Sequence, residues 1–124
     1  MLGSALLVII LHSPVVYDGD TLSGTIENIP EVFGKDISVR LSGIDTAELH
    51  SRCDTEAILA KRAKARLQEL IGNATEVELH NVARDKYFRL DAEVFANGVS
   101  VNSTLLQEGL AKPYFGGTKS SWCK

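Results

Sequence analysis

With 124 residues, 44% of them hydrophobic and 23% charged, the chain carries enough apolar side chains for one packed core and too few for two ordinary domains, so residues 1–124 are expected to form a single domain. The 13 Lys and Arg against 16 Asp and Glu give a formal net charge of -3, which excludes a polyanion binder that works through its overall field; any polyanion must meet a local basic patch. There is no low-complexity run and no stretch near the roughly 18 consecutive apolar residues of a membrane span, so a soluble domain without a membrane partner is expected.

Residues 1–11 are apolar. They resemble the core of a secretory signal, but they lack a basic start and a small-x-small cleavage pattern, and their Val and Ile content favours a buried first strand over a leader remnant. Residues 14–29 read as two strands, Val15-Val16-Tyr17 and a run from Leu22 to Ile29, joined at the turn Asp18-Gly19-Asp20. Residues 30–36 read as a loop. Ile37, Val39, Leu41 and Ile44 then mark a third strand that ends at Asp45.

Asp54 is placed to cap a helix whose apolar positions Leu59, Ala60, Ala63, Leu67, Leu70 and Ile71 recur at helical spacing, with Gly72 as its stop. Lys61, Arg62, Lys64 and Arg66 read as its solvated face. Residues 75–82 and 90–95 alternate as two more strands, Asn97-Gly98 makes a turn, and Val101, Leu105 and Leu106 support a short helix ended by Gly109. Five strands, with one long helix between the third and fourth and a short one after the fifth, fit an α+β class and the five-stranded Greek-key barrel of the OB-fold.

Cys53 and Cys123 lack zinc-ligand spacing and stand either as two buried thiols or as one disulfide; the disulfide would place the protein outside a reducing cytosol, secreted or periplasmic. His12, His50 and His80 have no partner spacing and read as structural, and Trp122 reads as an anchor for the tail.

Three segments gather acids and arginines at predicted strand ends and turns: Asp18-Gly19-Asp20-Thr21, the run from Arg40 through Asp45-Thr46-Ala47-Glu48, and Asp85-Lys86-Tyr87-Phe88-Arg89. Each alone is ordinary turn or surface chemistry. Their combination, order and internal spacing, with Val101-Asn102 through Leu105-Leu106 and Gly109-Leu110-Ala111-Lys112 behind them, resembles the staphylococcal nuclease (thermonuclease) family from about Val15 to Tyr114.

The resemblance implies a calcium-dependent endonuclease, a monomer, that hydrolyses DNA and RNA to leave 3′-phosphates. Asp20 and Asp45 correspond to the family's calcium carboxylates, with the Thr46 carbonyl as a further ligand. Arg40 and Arg89 correspond to its phosphate-binding arginines, and Glu48 to its general base. Lys86 and Tyr87 match contacts to the nucleotide's terminal phosphate, and Tyr114 lies near the base-stacking tyrosines. Ala47 stands where the family usually has proline, and Phe88 where it has glycine.

The chemistry agrees with those residue types. A hard divalent cation takes several oxygen ligands, so two carboxylates and a carbonyl leave room for waters and a phosphate oxygen. Arginine's planar fork suits phosphate oxygens and the charge that builds up at phosphorus. A carboxylate three residues beyond Asp45 can orient or deprotonate an attacking water. The alternative is a non-catalytic OB-fold module that binds nucleic acid or protein. Such a module has no reason to keep Asp20, Arg40, Asp45, Glu48 and Arg89 together, and all five are present.

Overall fold

The structure is a computed structural model that describes residues 8–84 and 89–123. The expected phosphate contacts Lys86 and Tyr87, Phe88 with them, and residues 1–7 of the apolar start lie outside the described residues.

The main sheet is built from β1 (Ile9–Ile10), β2 (His12–Asp18), β3 (Thr21–Thr25), β4 (Ile37–Leu41), β6 (Val77–Arg84), β7 (Leu90–Ala96) and β8 (Val99–Ser100). A second, two-stranded sheet pairs β5 (Ile44–Thr46) with β9 (Ala111–Pro113). Helices α1 (Glu31–Gly34), α2 (Asp54–Gly72) and α3 (Val101–Gln107) complete the elements. Strand order in the main sheet is β1-β6-β7-β4-β3-β2, with β8 on β7; every pairing is antiparallel except β4 with β7.

The two end strands of that order, β1 and β2, are separated in the chain only by Leu11. Both edges of the sheet therefore meet at one point of the backbone, which a flat sheet cannot achieve, so the sheet curls. Leu11 sits at the seam, buried, with its N–H donating to the Val77 carbonyl at 2.9 Å. The result is a curled, partly closed mixed sheet with interspersed helices, consistent with an OB-fold-like architecture.

Strand alternation fills the inside of the curl with Leu22, Val39, Leu41, Leu79 and Val94. Helix α2 presents Ala60, Ala63, Leu67 and Ile71 along one stripe, as the sequence spacing predicts, and α3 adds Val101 and Leu105.

The structure departs from the sequence expectation at several places. The expected third strand breaks at Ser42-Gly43, where Gly43 takes φ +75°, and β5 leaves the main sheet to pair with β9. Asn102 holds this corner: its Nδ2 donates to the Ser42 carbonyl at 2.8 Å, while its Oδ1 accepts the Val94 N–H at 3.0 Å. The expected loop at 30–36 contains the single turn α1, begun at Pro30. The apolar start supplies only the two-residue β1 among the described residues.

The cap of α2 is Cys53 rather than Asp54. Its Sγ accepts the Glu56 N–H at 3.4 Å, and the Glu56 carboxylate reaches back to the Arg52 N–H at 2.7 Å, a reciprocal arrangement close to a capping box. Glu56 is fully buried.

Candidate active site

The turn between β2 and β3 brings the first acid into place. Asp20 donates its N–H to Asp18 Oδ1 at 3.1 Å and accepts the Thr21 hydroxyl at 3.2 Å. Gly19 lets the turn lie flat against α2 and β5: a Cβ there would stand 2.6 Å from Ala63 Cβ and 2.7 Å from Thr46 Oγ1. Held in this way, Asp20 Oδ2 accepts the Thr46 N–H at 3.2 Å, which brings Asp20 to the β5 segment that carries Asp45 and Thr46, and all three residues are buried. Burial, and then the Asp20 carboxylate beside it, push the Asp18 carboxyl up to about 6.

The register of β3 with β4 places Thr21 opposite Arg40. The Arg40 guanidinium donates to the carbonyls of Ile44 at 3.1 Å and Leu41 at 3.4 Å and stands 3.9 Å from Asp20 Oδ2. Its shape is thus fixed by the backbone of the β4–β5 corner. The parallel pairing of β4 with β7 sets Arg40 opposite Asp91, two residues beyond Arg89. Arg40 and Arg89 share a cleft of about 450 Å³ with Asp91, Tyr114, Phe115 and Lys119. Tyr114 lies against Arg40, 5.8 Å from guanidinium carbon to ring centre.

Residues 114–123 cross the site as a strap. Tyr114 donates its N–H to the Gly43 carbonyl at 2.9 Å and its hydroxyl to the Gly117 carbonyl at 2.8 Å, which folds the strap tightly around Gly116-Gly117. At its far end Cys123 is disulfide-bonded to Cys53, with Cα atoms 6.0 Å apart, which decides between the two sequence readings of the cysteines. Trp122, the expected tail anchor, packs on Ala47 and Ala60.

The strap also engages the acids. Trp122 Nε1 donates to Asp45 Oδ2 at 3.2 Å, and Lys119 Nζ lies 3.1 Å from Asp45 Oδ1 and 3.7 Å from Glu48 Oε1. Partial burial pulls the Lys119 ammonium down, but the Asp45 carboxylate and the Glu48 charge outweigh this and hold it above the usual lysine range. Glu48 itself is exposed, at the rim.

Sequence reasoning missed Lys119, Phe115 and the link from Trp122 to Asp45. Phe115 is 89% exposed beside the cleft, whereas the tyrosine hydroxyl of Tyr114 is tied into the strap, so the exposed aromatic face belongs to Phe115. The usable signal for the strap was Cys53 itself: pairing Cys123 with a residue five positions after Glu48 must draw the tail over that segment. His80 bonds Glu78 at 3.1 Å and packs on Phe95, and His12 pairs with Glu27 at 3.4 Å, both outside the site.

Among the described residues no three His, Cys, Asp or Glu side chains converge as a metal cage. The donor set nonetheless suits a hard cation in kind: the buried carboxylates of Asp20 and Asp45 with the Thr46 backbone beside them in the chain, and at Asp45 Oδ1, which lacks a well-directed hydrogen bond, a positive charge already in place in the form of Lys119.

Residues 38–121 match the family described as Staphylococcal nuclease homologue. The chain belongs to that family. Over 98 residues it is 38% identical to the endonuclease YncB of Bacillus subtilis (strain 168), covering 77% of this chain and 43% of that protein. It is 37% identical over 98 residues to the SPbeta prophage-derived endonuclease YokF of the same organism, covering 77% of this chain and 31% of that protein. The chain thus spans less than half the length of these curated relatives. The staphylococcal nuclease match contains Arg40, Asp45, Thr46, Glu48, Arg89, Tyr114 and Lys119; Asp20 and Trp122 fall outside it. Among the described residues no helix is long and apolar enough to cross a membrane.

Proposed function

We propose that this chain is a calcium-dependent endonuclease domain, an OB-fold barrel of the five-stranded Greek-key type, that hydrolyses the phosphodiester bonds of DNA and RNA to leave 3′-phosphates. One observation carries the reading: Arg40 and Arg89 line a single cleft together with Lys119, whose ammonium pairs with the carboxylates of Asp45 and Glu48. Family membership and relatives named as endonucleases support it.

In this reading the phosphate of the scissile bond enters between Arg40 and Arg89. Arg40, fixed by its bonds to the Ile44 and Leu41 carbonyls, needs little reorganisation to meet charge that grows on the phosphate oxygens, which is where a preorganised donor contributes most. Glu48, exposed at the rim, orients a water and accepts its proton as that water attacks phosphorus, while the bond from phosphorus to the 5′ oxygen breaks and that oxygen leaves as the 5′-hydroxyl, protonated from solvent. Asp20, Asp45 and the Thr46 carbonyl would hold the calcium ion, which when bound supplies Lewis-acid polarisation of the phosphate. Asp20 and Asp45 are both buried, and a buried carboxylate is stabilised by a cation beside it.

Lys86 and Tyr87 are assigned the terminal phosphate of the nucleotide, and Tyr114, with Phe115 beside it, the flank of the base. A monomer is sufficient for this chemistry. The disulfide supports a secreted or periplasmic location, because such bonds persist in oxidising compartments.

The test is incubation of the purified protein with single-stranded DNA and with RNA, in calcium or in chelator, followed by analysis of product ends. Cleavage in calcium that stops with chelator and leaves 3′-phosphates is the expected result. Cleavage at full rate in chelator overturns the metal assignment, and binding without cleavage in calcium favours the non-catalytic module.

A further inference from the structure

We propose that the C-terminal strap is part of the cation site: Trp122 is a positioning residue that orients the Asp45 carboxylate, and Lys119 is a resident counter-ion to Asp45 and Glu48 that a divalent cation must displace. The proposal rests on the assignment of Asp45 to the cation made above.

Asp45 has two carboxylate oxygens, and the strap treats them differently. Oδ2 accepts a directed hydrogen bond from the indole of Trp122, a ring that packs with Ala47 and Ala60 and has the Lys112 ammonium 4.2 Å from its centre. Lys112 is in turn tied to the Ser121 carbonyl at 2.7 Å. A carboxylate with one oxygen bonded to a packed ring cannot rotate freely, so the other oxygen points in a fixed direction. That other oxygen, Oδ1, is buried and lacks a well-directed hydrogen bond, and the Lys119 ammonium stands 3.1 Å away.

Lys119 is suited to leave. It is 40% exposed, it follows the glycine pair of the strap, and its other neighbours are the Glu48 carboxylate at 3.7 Å and the Tyr114 ring, 5.3 Å from the ammonium to the ring centre. An ammonium and a divalent cation cannot both occupy the space in front of Asp45 Oδ1, because they repel at short range in a half-buried setting where screening is weak. Entry of the cation would therefore drive Lys119 out, and the same movement would leave the Glu48 carboxylate without its ammonium neighbour. Lys119 stays within the cleft of Arg40 and Arg89, where its charge is directed at an entering phosphate instead. Loading of the cation, release of Glu48 and presentation of a third positive group to the phosphate become one event.

Trp122 is the sole tryptophan of the chain, so its fluorescence reports directly on Asp45. Calcium chloride is titrated into the substrate-free, disulfide-bonded protein while tryptophan emission is recorded. The expected result is a saturable change in the parent protein that is absent in Asp45→Asn. Lys119→Met should reach half-saturation at a calcium concentration roughly fivefold lower or less, since a competing charge has been removed, and Lys119→Arg should return toward the parent value. Trp122→Phe, followed by calorimetry, should bind calcium roughly tenfold more weakly, because Asp45 is no longer held.

Unchanged or weaker calcium binding in Lys119→Met, with the melting temperature preserved, overturns the counter-ion role; should that variant fail to fold, Lys119→Gln is judged by the same criterion. Unchanged calorimetric affinity in folded Trp122→Phe overturns the positioning role. A parent protein that shows no calcium response overturns the proposal even if it cleaves DNA. A parent protein that responds as expected but cleaves nothing in calcium supports the strap and refutes the nuclease reading, so the two fail separately.

Discussion

A Cβ placed on Gly19 would lie 2.6 Å from the Cβ of Ala63, so the turn that carries Asp20 is seated directly on the small-residue stripe of α2. Neither that contact nor the one to Thr46 Oγ1 is the far end of a flexible side chain, and the turn must lift to accept a methyl group. Gly19→Ala is expected to cost about 1–3 kcal/mol of stability in a denaturant titration, the range for overpacking. It should also reduce activity beyond the stability loss, because Asp20 moves away from the Thr46 N–H. Equal activity per folded molecule would show that Asp20 tolerates the shift.

Arg40→Lys and Arg89→Lys keep the charge and lose the fork. For Arg40 the loss is twofold, since the donors that anchor the group on Ile44 and Leu41 go with the fork that faces the phosphate. Each variant is expected to lower kcat by about 10² or more while KM moves less. Lys64→Ala, on the solvated face of α2 and away from the residues that line the cleft, should leave kcat unchanged. Steady-state kinetics at saturating calcium separates the cases, and near-native kcat in both arginine variants would remove the two-arginine reading.

The acid limb of the stability curve should contain a signature of Glu56. The backbone N–H of Arg52, and beyond it the Arg52 charge and the Glu48 N–H, hold this carboxyl below its usual 4.5 against the opposing effect of burial. A carboxyl lowered on folding stabilises the native state fully above its unfolded value, and that contribution is lost as pH falls through the folded value. The stability difference between the parent and Glu56→Gln is therefore expected to be constant at neutral pH and to shrink below about 4.5. Thermal melts from pH 7 to pH 3 give the comparison; a difference that does not change with pH assigns Glu56 a packing role only.

Reduction should act on stability and site together. The chain-entropy account gives roughly 4 kcal/mol for a closed loop of this length. Dithiothreitol is expected to lower the melting temperature clearly, and the native protein titrated without reductant should show no free thiol, among the described residues, at Cys53 or Cys123. Two titratable thiols after denaturation without reductant would refute the bond.

The sequence makes the large elements legible where a period is sustained, as in α2, whose stripe Ala60, Ala63, Leu67 and Ile71 needs no tertiary information. It hides breaks in apolar runs: Leu41 and Ile44 read as one strand because both are buried, although they belong to different sheets and only Gly43 marks the corner. The turn α1 is too short to show a period at all. At the candidate site the acids and arginines are legible because turns and strand ends concentrate them in short motifs. Lys119 and Trp122 are not, since a tail without periodicity reaches Asp45 only through a long-range covalent closure.

That closure also divides the molecule. The bond between Cys53 and Cys123 makes the intervening chain a covalent ring, to which the preceding residues are attached as an open arm. Asp20, Arg40, Asp45 and Glu48 all lie on the arm, and Arg89, Tyr114, Lys119 and Trp122 all lie on the ring, so the residues of the candidate site come from topologically different parts of one chain. A protease that nicks the exposed Asn97-Gly98 turn opens the ring without releasing a fragment, and both sides of the cleft stay on one covalent molecule until the disulfide is reduced.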